Sequence, residues 1–109
     1  MRNFKVSEKI EGSGEYILGS EKTGSHACYM AYGILKPGEQ GRELKPGQGH
    51  EEIVFAIQGD LKLTGCHTDF LRQGQALHLQ DEESVLVENP GDTPAIYVIS
   101  GGHSGHGHH

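Results

Sequence analysis

The sequence predicts an all-β fold, and three observations carry that expectation. Gly and Pro recur too often to leave room for a long helix, with 17 glycines and 4 prolines among 109 residues. The apolar residues alternate with polar ones over short stretches, as they do in half-buried strands. Turn signals separate these stretches at near-regular spacing, which is the pattern of a sandwich or a barrel whose closure removes exposed strand edges.

In chain order the strands are expected at 16–18, 28–35, 52–58, 61–64, 70–72, 76–80, 84–88 and 95–100. Lys36-Pro37-Gly38 ends the second, and Gln58-Gly59-Asp60 turns the third into the fourth. Gly65 marks a hairpin tip, Arg72-Gln73-Gly74 closes the fifth strand, and Asn89-Pro90-Gly91-Asp92 precedes the last. The stretch 75–89 is the longest without Gly or Pro, yet Asp81-Glu82-Glu83 splits it. Leu77 and Leu79 alternate before the break and Val85 and Val87 after it, so two strands joined by an acidic turn are expected rather than one helix.

A chain of 109 residues is the size of one domain with one core. The expected division is a barrel over 1–100 and a flexible Gly/His-rich tail over 101–109, where the composition shifts abruptly. With 9 basic against 15 acidic residues the net charge is −6, which disfavours nucleic acid or an anionic membrane as partner and suits small molecules and cations. No stretch approaches the roughly 18 apolar residues of a membrane span, and the N-terminus lacks a signal-peptide core, so a cytoplasmic setting is expected. There Cys28 and Cys66 are expected as reduced, buried small hydrophobes.

The run from Gly47 to Gly59 is the most informative segment. Gln48, His50 and Glu52 share one parity, with Val54 and Ala56 following on the same face, so a polar mouth would stand above an apolar floor. His50 suits a metal ligand or proton carrier, or a structural hydrogen bond to a carbonyl or carboxylate; Gln48 suits a pocket hydrogen bond. His78 faces the pocket only if Leu77 and Leu79 do not. If it does, His50, Glu52 and His78 make a three-ligand set for Zn, Ni, Fe or Mn. In the tail, His103, His106, His108 and His109 are candidates for a weak transition-metal site.

The segment Glu52-Ile53-Val54-Phe55-Ala56-Ile57-Gln58-Gly59 resembles the end of the first cupin motif, G-x5-H-x-H-x3-E-x6-G, with Glu52 and Gly59 at its Glu and Gly. Gly74, Leu79 and the residues 84–88 fall near the second, G-x5-P-x-G-x2-H-x3-N. Resemblance to small single-domain cupins implies a double-stranded β-helix, often a homodimer, with a pocket inside the barrel. In that family the motif histidines and Glu hold a metal. Here Pro46 and Gln48 stand at the first motif's histidine positions, with Ser84 at the second motif's histidine position, Glu88 at its asparagine position, and Leu79 and Asp81 for its Pro and Gly. Of the four ligands the resemblance implies, Glu52 remains.

Three functions follow as expectations. The first is a small-ligand module whose pocket includes Gln48, His50, Glu52, His78 and Ser84. The second is a metal-dependent cupin enzyme, of oxygenase or isomerase type, using His50 and Glu52 with His78. The third is transition-metal handling through the His-rich tail.

Overall fold

The computed structural model describes residues 1–104. Two antiparallel sheets face each other across the core. The five-stranded sheet has the order β1 (Gly14–Leu18), β2 (Cys28–Leu35), β9 (Ala95–His103), β4 (His50–Gln58) and β7 (Ala76–Gln80). The four-stranded sheet runs β3 (Arg42–Leu44), β8 (Val85–Glu88), β5 (Leu61–Gly65) and β6 (Asp69–Leu71). Apart from the β1/β2 and β5/β6 pairs, neighbouring strands are not consecutive in the chain, which passes repeatedly from one sheet to the other, so the sheets interlock into the double-stranded β-helix anticipated above. A 3-10 turn at Val6–Glu8 and a single α turn at Ser20–Thr23 are the helical pieces among the described residues, and neither is long or apolar enough to cross a membrane.

Strict alternation builds the core. On β4, Glu52, Val54 and Ala56 point in while Ile53, Phe55 and Ile57 point out. On β9, Ala95, Tyr97 and Ile99 point in; on β2, Ala31, Gly33 and Leu35 do. Leu44, Leu61, Leu63, Leu71, Val85 and Val87 of the other sheet meet them. The acidic break between β7 and β8 is a turn in which Asp81 has φ 52°, a left-handed conformation that Asp tolerates better than most residues.

Several expectations need correction. β3 lies in a stretch expected to be loop. The expected tail begins inside β9: Gly101, Gly102 and His103 continue the strand, paired with both β2 and β4. His106, His108 and His109 lie outside the described residues. Cys28 and Cys66 are free but exposed rather than buried, because Cys28 opens β2 on its outer parity and Cys66 sits at a hairpin tip.

Candidate functional site

A cavity of about 320 Å³ opens at one end of the barrel, between β1, β2, β3 and the start of β4. Its floor is Ala31, Leu44 and Ile99, and its polar wall comprises Glu15, Tyr29, Glu43, Lys45, His50 and Glu52. Strand parity puts these groups here: Tyr29 shares the inner face of β2 with Ala31, and His50 shares that of β4 with Glu52.

Glu52 is the buried charge of the site, at 8% exposure. The Tyr29 hydroxyl donates to its Oε2 at 2.7 Å. Burial, reinforced by the neighbouring Glu52 carboxylate, pushes the Tyr29 phenol well above its ordinary range, so the phenol stays neutral and keeps donating. Oε1 of Glu52 has no hydrogen bond among the described residues and is not closed off from solvent. One carboxylate oxygen is therefore fixed and the other is left to accept a further hydrogen bond, on a residue that lines the cavity.

Tyr29 reaches Glu52 because its ring lies over Gly101, its register partner on β9. A Cβ at position 101 would fall inside that ring. The same device recurs four register pairs along, where the Tyr97 ring lies over Gly33. The buried Tyr97 hydroxyl donates to Glu15 and accepts from the Arg42 guanidinium at 3.1 Å, so it holds Glu15 on the cavity wall. Arg42 also donates to the Gly14 carbonyl and to Glu39. The Ser13 hydroxyl, with the Lys36 amide and Arg42, holds the Glu39 carboxyl below the usual carboxylate range.

His50 is set by two turns clamped together. The Asp81 carboxylate accepts from the Gly49 amide at 2.9 Å, the Asp81 N–H donates to the His50 carbonyl, and the Gly47 N–H donates to the Asp81 carbonyl. The His50 Nδ1 lies 3.3 Å from the Gln48 carbonyl, and its ring meets Tyr29 edge-on.

His50 and Glu52 thus line the cavity together. Gln48 does not join them: it lies exposed in the turn before β4, and only its carbonyl touches His50. His78 faces the opposite side of the sheet, with its Nε2 2.8 Å from Glu51, because Leu77 and Leu79 turn toward the core. The three-ligand set of His50, Glu52 and His78 therefore does not form. Ser84 lies before β8, away from the cavity wall. The second-motif alignment also shifts by one residue: counted from Gly74 it lands on Val85, which is buried in the core, and on Asn89. Among the described residues no three His, Cys, Asp or Glu side chains converge for a metal. With Glu52 as the one remaining donor, the ligand set implied by the resemblance does not fit a metal here.

Tyr29 and Glu15 were missed by sequence reasoning, and His103, expected as part of a metal-binding tail, instead ends β9 at the barrel mouth. His103 pairs in register with His50, and their ring centroids are 4.9 Å apart. The signal was available, since the inward parity of Ala95, Tyr97 and Ile99 continues through Gly101 to His103.

The sequence matches no family model and no curated protein. Solved structures do match. An uncharacterised conserved protein with a double-stranded β-helix domain from Klebsiella pneumoniae superposes with a TM-score of 0.72 at 15% identity, over 94% of this chain and 90% of that one. An oxalate oxidase gives 0.71 at 21% identity over 84% of this chain. The present chain spans about half of that enzyme's length, 51%. The cupin domain of Schizosaccharomyces pombe Cnp3 gives 0.63 at 11% identity, over 72% of this chain and 57% of that one. The chain has the double-stranded β-helix fold of the cupins.

Proposed function

We propose that the protein binds a small polar molecule in the barrel mouth, with the Glu52 carboxylate as its anchor. The observation that carries this reading is Glu52 itself, a buried carboxylate lining a cavity of about 320 Å³, whose Oε2 is held by Tyr29 and whose Oε1 has no hydrogen bond among the described residues. That volume is at the small end of ligand pockets. Glu15, Glu43 and Glu52 outnumber Lys45 on the wall, and Lys45 is already paired with Glu82 at 2.8 Å. A ligand bearing hydroxyl or ammonium donors suits this wall. A dianion of the oxalate type would meet carboxylates at close quarters, which disfavours an oxalate-like substrate.

The test is a thermal-shift panel of small polyols, amino alcohols and primary amines against the native chain and Glu52→Gln. A binder should raise the native melting temperature. Gln keeps an acceptor for Tyr29 but loses the charge, so affinity should fall about 10- to 100-fold, the worth of a charged hydrogen bond. Equal affinity in both proteins would remove Glu52 as anchor, and a panel without binders would count against the pocket reading.

We also propose that the protein is a cytoplasmic homodimer. Phe55, Val98, Tyr32 and Tyr16 stand side by side in register on the outer face of the five-stranded sheet, flanked by exposed Ile53 and Ile57. A largely apolar row of this kind, with Lys22 over the Tyr16 ring at one end, suits a second copy of the chain packed across a two-fold axis. Sedimentation velocity should find a dimer at micromolar concentration, and Phe55→Lys should sediment as a monomer. A native chain that sediments as a monomer at every concentration would end this part of the reading.

A further inference from the structure

We propose that His50 and His103 form a two-histidine chelate for a divalent transition metal at the barrel mouth, built from residues outside the cupin ligand positions. Both side chains belong to the inner face: His50 precedes Glu52 by two on β4, and His103 follows Ile99 by four on β9. The two residues are direct register partners at the end of the β4/β9 ladder. Their rings are 4.9 Å apart between centroids, with planes tilted by 33°. Imidazole nitrogens bind such ions at about 2.0–2.1 Å, so one ion can bridge rings at this separation after ring rotation alone.

Tautomer and backbone favour the arrangement. The Gln48 carbonyl lies 3.3 Å from the His50 Nδ1, and a proton held there leaves the Nε2 lone pair for the metal. Both strand ends are pinned: the Ser104 N–H donates to the Gly49 carbonyl at 2.8 Å, and Asp81 holds the Gly49 amide and the His50 carbonyl. The carboxylates of the cavity wall add a favourable field for a cation. Two imidazoles suit Ni, Cu or Zn, and they leave coordination positions open toward water and the cavity.

The experiment uses the full chain with His106, His108 and His109 retained in every variant. Melting temperatures are recorded with and without NiCl2 for the native protein, His50→Ala and His103→Ala. A chelate that exists only in the folded sheet stabilises it, whereas histidines adjacent in sequence bind folded and unfolded chains alike and shift the transition little. The native protein should gain on the order of 5 °C at saturating nickel, and either substitution should abolish the gain. Should an alanine variant fail to fold, His50→Gln or His103→Gln supplies the same loss of ligand. Paramagnetic broadening by nickel should centre on the Glu51 and Gly102 amides of the native chain. No gain in the native protein, a gain that survives either substitution, or broadening confined to residues beyond Ser104 would each overturn the proposal. The outcome does not depend on the ligand panel, since the probe is the metal alone.

Discussion

Asn89→Ala should cost about 3 kcal/mol of folding stability, a large share of what a domain this size holds. Asn89 is 2% exposed at the end of β8, and its side chain makes three hydrogen bonds. The amide donates to the Leu35 carbonyl at 3.0 Å and to the Thr93 carbonyl at 2.8 Å, while Oδ1 accepts from the Gly91 N–H at 3.0 Å. Its backbone closes the same junction: the N–H donates to the Glu39 carbonyl and the carbonyl accepts from Gly38. One residue therefore ties the end of β2, the turn leading to β3, and the loop into β9. Each such bond contributes about 1 kcal/mol net, and a partner left unsatisfied in the interior costs at least as much. Melting should fall by on the order of 10 °C. Asn89→Asp is the sharper control, because a carboxylate cannot donate to two carbonyls and should do no better than alanine. Urea denaturation measures both, and a loss below about 1 kcal/mol for each would mean the junction does not depend on this amide.

The barrel was legible in the sequence because its strands are short, alternating and separated by Gly and Pro. β2 and β7 have the bounds that their patterns predict. β3 was hidden because three residues containing an adjacent Arg42 and Glu43 give no alternation to read, and the strand forms only against β8. Parity served the site well on β4 and would have settled His78, whose flanking leucines already declare the inner face. It was not carried through the end of β9, where glycines and histidines make strand residues resemble a linker. The roles of Tyr29 and Tyr97 could not be read at all. Each depends on a glycine more than 60 residues away in sequence, and an aromatic residue in a strand otherwise signals only core.

Those two tyrosine–glycine pairs give the most severe expected effect and a way to separate scaffold from site. Gly33→Ala should destabilise the protein by about 3 kcal/mol or more, since the new methyl would lie inside a fully buried ring that has no free space to enter. Displacing Tyr97 also breaks its bonds to Glu15 and Arg42, so the wall of the cavity loosens with the core. The clash can be isolated: in Tyr97→Leu there is no ring to displace, and adding Gly33→Ala to it should cost far less than in the native background. A coupling of about 1–3 kcal/mol is expected from that cycle, and additivity would show that the ring does not need the glycine. Gly101→Ala meets the same steric conflict at Tyr29, but Tyr29 is only half-buried at the open end of the barrel and can swing toward solvent. Its stability loss should be smaller, near 1 kcal/mol, because little packing is forfeited when a ring leaves a wet rim. What is lost instead is the hydroxyl on Glu52, so ligand affinity should fall while most of the stability remains. If Gly101→Ala weakens binding no more than it weakens folding, Tyr29 is packing and not part of the anchor.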